Sequence, residues 1–190
     1  MKKFILITGG ERSGKSRYAE SLALSLSPNP VYLATARIWD EEFRQRVIKH
    51  QSRRGPQWTN IEEQKFLSQH QFTDRVVVVD CLTLWATNFF YDCSTPKPGQ
   101  ELPAVSQDCN TKKPNIVDQA LQQLQKELTL LVQQDAVFIC VTNEIGSGGT
   151  NINPVQRQFT DLLGRLNQFA AKMADEVILM VSGINVKIKG

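Results

Sequence analysis

Phe4-Ile5-Leu6-Ile7-Thr8-Gly9-Gly10-Glu11-Arg12-Ser13-Gly14-Lys15-Ser16 is the stretch that decides how the rest of the chain is read. Its first part, Phe4–Thr8, is apolar, rich in β-branched residues and closed by glycines, which reads as a buried strand. Gly9 to Ser16 fits G-x-x-x-x-G-K-[ST], and Ser16–Leu26 continues with helical spacing, Ala19, Leu22, Ala23 and Leu26 sharing one face. Strand, glycine loop and helix in that order make a phosphate cradle. Glycines let successive N–H groups converge on one point, and the opening helix aims its positive end there. In such a loop Lys15 neutralises β- and γ-phosphates and the Ser16 hydroxyl can ligate Mg²⁺. The alternative is a simple glycine turn between strand and helix. Within the loop, Arg12 is either a second cation for phosphate or a surface partner of Glu11.

Strands and helices alternate outward from the loop. Pro28 and Pro30 stop the first helix, and Val31–Ala34 reads as a second strand. Asp40 can cap a helix to about His50, with Glu41 and Glu42 in its first turn, and Arg53-Arg54-Gly55-Pro56 ends it. Ile61–Phe66 is a weaker extended segment. Arg75–Val79 holds four consecutive valines and reads as a central parallel strand, followed by a helix over Leu82–Tyr91. Asp92–Asn115 changes character. Pro96, Pro98, Pro103 and Pro114 lie among Ser, Thr, Lys and Gln, which predicts a flexible insertion at 92–115.

Val117, Leu121, Leu124, Leu128 and Leu131 then recur at helical steps, and Ala136–Val141 is apolar again. Asn153-Pro154 opens a helix striped by Val155, Phe159, Leu162, Leu166, Phe169 and Met173. Glu176–Val181 and Val186–Ile188 close the chain as strands around a Ser-Gly-Ile-Asn turn. This alternation predicts an α/β, P-loop NTPase-like three-layer fold with a mostly parallel central sheet, residues 1–190 forming one domain.

Composition narrows the function classes. The chain has 190 residues, 41% hydrophobic and 22% charged, which suits a globular domain able to bury its own core. A net charge of +3 is too small to imply nucleic-acid binding. No apolar run reaches the length of a membrane span, and the run Phe4–Ile7 after the basic start is too short for the core of a signal peptide, so a cytoplasmic location is expected. Cys81, Cys93, Cys109 and Cys140 form no C-x-x-C pair and are expected as reduced thiols. Two histidines, His50 and His70, exclude a histidine-rich metal site.

Asp80 follows the valine run, where a Mg²⁺-supporting acid is expected in a P-loop enzyme; it could also cap the next helix. Thr142-Asn143-Glu144 follows another strand but lacks the Lys and Asp of N-K-x-D, which argues against a GTPase switch; Asn143-Glu144 is expected to line the site, and could also cap the following turn. His50 shares a helical face with Phe43 and Val47, and Arg46, Lys49, Arg53 and Arg54 surround it. So much positive charge should keep the imidazole neutral, and a neutral imidazole can attack an α-phosphorus. On pattern alone, a helix-end histidine of no consequence is the commoner case. His70, in a polar run, is expected on the surface, and Trp39 and Trp85 as packing residues.

Thr8–Ser16 resembles the T-G-G-x-R-S-G-K-S loop of the bifunctional adenosylcobinamide kinase / adenosylcobinamide-phosphate guanylyltransferase family. Tyr32–Ala36, the segment from Asp40 to His50, Trp58–Glu62, Val141–Gly146, Phe159–Asn167 and Ala174–Ile184 resemble further motifs of that family in the same order. The resemblance fails only over Asp92–Asn115. It implies phosphorylation of the aminopropanol hydroxyl of adenosylcobinamide by ATP or GTP. It then implies GMP transfer from GTP through a histidyl-GMP intermediate, giving adenosylcobinamide-GDP in cobalamin biosynthesis. His50 matches the guanylylated histidine. By the same comparison Gly9–Ser16, Ala34, Thr35, Ala36, Gln51, Ser52, Arg53, Arg54, Glu62 and Asp80 would bind nucleotide, with Ser16 and Asp80 at Mg²⁺. Asp80 stands where the family commonly has Glu, and Gln51 where Lys is common. The resemblance also implies a homo-oligomer, a trimer. The alternatives are a guanylyltransferase without kinase activity and a nucleotide-dependent switch protein.

Overall fold

The computed structural model describes residues 2–38, 41, 44–45, 48, 54–94 and 115–190. Seven strands form one sheet: β1 (Lys3–Gly9), β2 (Val31–Ala34), β3 (Thr59–Glu62), β4 (Val76–Asp80), β5 (Val137–Val141), β6 (Glu176–Val181) and β7 (Ile184–Lys189). Their order is β3-β2-β4-β5-β1-β6-β7, parallel throughout except for the antiparallel β6–β7 hairpin. Four helices described from end to end flank it: α1 (Lys15–Leu26), α2 (Leu82–Ser94), α3 (Ile116–Val132) and α4 (Pro154–Met173).

Alternation along the strands divides the core into two layers. Phe4, Leu6, Leu33, Val77, Val79, Phe138 and Cys140 point to the face covered by α2, α3 and α4. Ile5, Ile7, Tyr32, Val78, Ile139 and Val141 point to the face that carries Ala19 and Ala23 of α1. Strands buried on both sides have no polar face to show, which is why they read as unbroken apolar runs. The expected three-layer α/β architecture is therefore present.

The stripe on α3 is buried as its spacing predicts, Leu124, Leu128 and Leu131 being fully enclosed. At about 1.5–3 kcal/mol per buried leucine, this stripe is a principal anchor of the helical layer. Asn153 caps α4 by accepting hydrogen bonds from Val155 N and Gln156 N, with Pro154 at the first helical position.

Several boundaries differ from the sequence reading. β3 begins at Thr59, not Ile61, because it pairs in register with β2, Val31 opposite Thr59 and Ala34 opposite Glu62. The start of the insertion at Asp92 is corrected: α2 continues to Ser94, held by Asp92, which pairs with Arg37 and Lys65. Residues 95–114, including Cys109, lie outside the described residues. Val155 is exposed rather than part of the α4 core stripe, whose buried members are Leu162, Leu163, Leu166 and Ala170. The closing turn is the pair Ser182-Gly183, since Ile184 and Asn185 already belong to β7. Of the helix expected over Asp40–His50, Glu41, Arg44, Gln45 and Ile48 are helical. Trp39, Asp40, Arg46, Lys49 and His50 lie outside the described residues.

Candidate nucleotide site

The phosphate loop connects β1 to α1 at the carboxyl edge of the sheet, where ligands gather in open α/β folds. Three contacts brace it. Glu144 N donates to Gly9 O at 3.0 Å, Gly183 N donates to Ser13 O at 3.0 Å, and Ser13 N donates to Gly10 O at 3.4 Å. The ends of β5 and of the β6–β7 hairpin thus hold the loop from both sides. Gly9 is required by its surroundings: its φ is +144°, and a Cβ there would lie 2.4 Å from Met180 O. Gly14, at φ +96°, forms the N-cap of α1. Arg12 is exposed at φ 57°, Glu11 and Gly10 are exposed, and Ser16 is half-buried on the first turn of α1.

Lys15 curls back into the loop. Its Nζ donates to Gly9 O at 3.0 Å, Gly10 O at 2.5 Å and Ser13 Oγ at 3.4 Å, and the residue is only 6% exposed. Burial pulls its pKa below the ordinary lysine value, and nearby negative charge opposes this. Asp80 and Glu11 supply that charge, since the Cys81 thiol is itself pushed up to about 12 by burial and is neutral at physiological pH. A buried ammonium held by main-chain carbonyls is poised to exchange them for phosphate oxygens.

Asp80 ends β4, opposite Ala34 of β2 and Val141 of β5. Its Oδ2 accepts the Tyr32 O–H at 2.6 Å. Burial, then the Asp80 charge and hydrogen bond, push the Tyr32 pKa far up, so the phenol keeps its proton. Arg54 stacks on the other side of this pair, its guanidinium 3.6 Å from the Tyr32 ring centre. The Arg54 Nε also donates to Asn60 Oδ1 at 2.8 Å, and its side chain is 3% exposed, with Glu20 of α1 at 3.7 Å. Arg54, expected to meet nucleotide, is here a buried tie between Tyr32, β3 and α1. Tyr32 was missed from the sequence. Its signal was position: it lies two residues before Ala34, the partner of Asp80 in the parallel register.

Thr35 also departs from its expected role. The residue is fully buried; its hydroxyl donates to Cys81 O at 2.7 Å and accepts from Cys81 N at 2.9 Å. It ties β2 to β4 and offers a ligand nothing in this arrangement. Ala34 and Ala36 flank it, half-buried, and Glu62 is exposed at the end of β3. Asn88 of α2 holds the same segment, donating to Thr35 O at 2.8 Å and to Gln64 O at 2.9 Å. Beyond it, Arg37 reaches Asp92 at 2.9 Å. The chain that leads toward His50 is therefore fixed to α2 before it enters the stretch holding His50, Gln51, Ser52 and Arg53, which lie outside the described residues. His70 sits half-buried at 3.8 Å from Glu63 and against Phe72, away from the loop edge. Trp85 is a core residue donating to Lys65 O at 3.0 Å.

Asn143 and Glu144 follow β5 at this edge, and the Glu144 carboxylate caps the turn that follows, accepting from Gly146 N at 2.8 Å. Asn143 N donates to Thr83 Oγ1 at 2.8 Å, and Asn143 O accepts from Asn167 of α4 at 3.0 Å. The carboxyl ends of β1, β4 and β5 thus bring Gly9–Ser16, Asp80 and Asn143-Glu144 to one edge of the sheet.

A glycine loop at the end of a buried parallel strand, a lysine folded into it and an acid at the end of a strand two places away define a P-loop nucleotide-binding protein of the α/β class. Residues 5–188 match the family described as cobinamide kinase / cobinamide phosphate guanyltransferase. The chain is 36% identical over 191 residues to the bifunctional adenosylcobalamin biosynthesis protein CobU of Escherichia coli K12, covering 97% of this chain and 99% of that protein. It is 34% identical to the protein of the same name from Salmonella typhimurium, covering 97% and 99%. It is 31% identical to the bifunctional adenosylcobalamin biosynthesis protein CobP of Pseudomonas aeruginosa, covering 97% and 96%. The chain belongs to the cobinamide kinase / cobinamide phosphate guanyltransferase family. No described helix is long and apolar enough to cross a membrane.

Proposed function

We propose that the chain carries out both steps named for its family, as a cytoplasmic homo-oligomer. In the first, the aminopropanol hydroxyl oxygen of adenosylcobinamide attacks the γ-phosphorus of ATP or GTP; a P–O bond forms and the nucleoside diphosphate leaves. In the second, a His50 ring nitrogen attacks the α-phosphorus of GTP and pyrophosphate leaves. The phosphate oxygen of adenosylcobinamide phosphate then attacks that phosphorus, breaks the P–N bond and gives adenosylcobinamide-GDP.

The observation that carries this reading is the Lys15 ammonium held on the carbonyls of Gly9 and Gly10. Phosphoryl transfer needs placement and charge neutralisation more than covalent help from the protein. The loop amides and the N-terminus of α1 supply fixed donors, and Lys15 supplies a movable charge that leaves its carbonyls for the β- and γ-oxygens. Arg12, exposed at the loop tip, is free in geometry to approach the triphosphate. Ala34, Ala36, Glu62, Gln51, Ser52 and Arg53 are proposed to line the base and ribose side.

The donor set also suits Mg²⁺, a hard cation that binds through one or two protein oxygens, substrate phosphates and water. The Ser16 hydroxyl and the Asp80 carboxylate are such oxygens; with Asp80 Oδ2 accepting from Tyr32, its other oxygen would hold the ion or its water. When bound, Mg²⁺ would supply positive charge on the phosphate oxygens.

Two variants test the proposal. With γ-labelled ATP and adenosylcobinamide, wild type is expected to yield labelled corrinoid phosphate, and Lys15→Ala to lose it. With adenosylcobinamide phosphate and GTP, His50→Ala is expected to lose product while keeping the kinase step. Equal loss of both steps in His50→Ala would contradict the assignment of that residue to guanylyl transfer alone.

A further inference from the structure

We propose that the Asn143 carboxamide is a catalytic donor that hydrogen-bonds a γ-phosphoryl oxygen as the phosphoryl group passes to the acceptor hydroxyl, an assignment that rests on the kinase step above.

The first observation is how firmly this residue's main chain is held. Asn143 N donates to Thr83 Oγ1 of α2 at 2.8 Å, and Asn143 O accepts from Asn167 Nδ2 of α4 at 3.0 Å. Thr142 Oγ1 donates to Asn167 Oδ1 at 2.7 Å. Because Asn143 O can only accept, the Asn167 amide has one orientation, and the Thr142 hydroxyl agrees with it. Thr83 and Thr142 are buried. Side chains from two helices and the end of a strand are thus spent on fixing one stretch of backbone. The Asn143 side chain itself, on a half-buried residue, makes no hydrogen bond among the described residues. A backbone pinned on both sides beneath an unengaged amide is a preorganised donor, set in place before its ligand arrives.

The second observation is direction. Thr142 N donates to Ile7 O at 2.9 Å and Glu144 N to Gly9 O at 3.0 Å, so the ladder between β5 and β1 continues past the end of β5. Side chains in such an extended run alternate between faces. Thr142 turns into the layer of α2 and α4, where Thr83 and Asn167 meet it. Asn143 therefore turns to the opposite face, with Ile139 and Val141, which pack on the α1 side. Lys15 is the first residue of α1.

The third is level. Val141 lies opposite Ile7 on one side and Asp80 on the other. Two residues further on, Asn143 comes level with Gly9, whose carbonyl holds Lys15 Nζ at 3.0 Å. The strand between the phosphate loop and Asp80 thus carries the amide to the height of the carbonyl that Lys15 leaves.

In the transfer, the acceptor hydroxyl oxygen bonds to the γ-phosphorus and the bond from that phosphorus to the bridging oxygen breaks. The hydroxyl proton passes to water, and the nucleoside diphosphate leaves. The γ-oxygens only accept hydrogen bonds, so they need donors that are in place as their charge redistributes. Lys15 brings charge. Asn143 adds a fixed neutral donor, and it neither gains nor loses a proton. Thr83 and Asn167 are positioning residues that act through the Asn143 main chain.

The test is steady-state kinase kinetics with adenosylcobinamide and γ-labelled ATP. Affinity for a non-hydrolysable ATP analogue with Mg²⁺ and the urea midpoint are measured on the same proteins. Removing one preorganised donor lowers kcat by about a hundredfold, the loss expected for Asn143→Ala. Its analogue affinity and urea midpoint are expected to stay at wild-type values, since the interaction is made in the transition state and the side chain bonds nothing in the protein. Asn143→Asp, nearly the same shape, replaces the donor with an anion and is expected to be slower than Asn143→Ala; a purely structural role makes it the milder change. Asn167→Asp keeps an acceptor for Thr142 but loses the donor to Asn143 O. It is expected to lower kcat severalfold alone and to add nothing to Asn143→Ala, because the two act as a unit. A kcat for Asn143→Ala within twofold of wild type overturns the assignment alone. So does Asn143→Asp proving faster than Asn143→Ala, which also decides the matter if Asn143→Ala folds poorly. A wild-type protein that transfers no phosphate to adenosylcobinamide overturns both the assignment and the kinase reading.

Discussion

Tyr32→Phe isolates one hydroxyl at the centre of the site. The ring remains, so the Arg54 stack at 3.6 Å and the edge contact with Trp58 at 6.0 Å are kept. What is lost is the 2.6 Å hydrogen bond to Asp80. A bond to a charged acceptor contributes about 1.5–3 kcal/mol. Asp80 is half-buried and water can take up part of the lost bond, so we expect about 1–2 kcal/mol of destabilisation. In urea this moves the unfolding midpoint down by roughly 0.5 M with an unchanged m-value. The same variant is expected to raise the Mg²⁺ concentration needed for half-maximal phosphoryl transfer, because the Asp80 carboxylate loses the partner that orients it. Tyr32→Leu, which also removes the ring under Arg54, is expected to cost more on both measures. A midpoint for Tyr32→Phe within 0.1 M of wild type (an order-of-magnitude threshold set by the same linear slope), together with an unmoved Mg²⁺ dependence, would refute the reasoning.

Acid sensitivity follows from Asp92, whose pKa is held below the ordinary carboxylate value by the Arg37 hydrogen bond and then by Lys65. A depressed folded-state pKa contributes stability above the unfolded value, and loses it as pH falls through the folded one. Urea midpoints should therefore decline on acidification below the normal aspartate range, and Asp92→Asn should flatten that decline. Leu124→Ala, at a fully buried α3 position, is expected to cost about 2–5 kcal/mol in chemical denaturation; a cost under about 1 kcal/mol would mean that α3 collapses onto the gap. Gly9→Ala should destabilise the protein and weaken nucleotide binding together in calorimetry, because the new methyl meets Met180 O at 2.4 Å in a backbone conformation few residues adopt; normal binding in that variant would show that the loop tolerates displacement from β6.

Much of the fold was legible because the chain builds its sheet from strands buried on both faces. Val31–Ala34, Val76–Asp80 and Val137–Val141 have no polar alternation to confuse the reading, and the leucines of α3 keep an uninterrupted helical period. The phosphate loop was equally plain, since its chemistry is confined to consecutive residues. What stayed hidden depends on register between distant segments. Nothing local marks Tyr32 as the partner of Asp80, or Thr35 as the tie to Cys81; both follow from the parallel pairing of β2 with β4. Arg54 read as a free cation among basic neighbours, whereas an aromatic ring and Glu20 of α1 enclose it. Asp92 looked like the start of a proline-rich insertion because its partners, Arg37 and Lys65, lie 55 and 27 residues away.

If the chain is the enzyme proposed, GMP is carried on His50 between the two halves of the guanylyl transfer. The most direct test is the intact mass of the protein after incubation with GTP and Mg²⁺, with the adduct then located by peptide mapping. The account predicts one GMP added per chain with loss of water, stable to alkali, cleaved by acid, located on His50 and absent from His50→Ala. An unmodified wild-type mass, or an adduct that persists in His50→Ala, would contradict it.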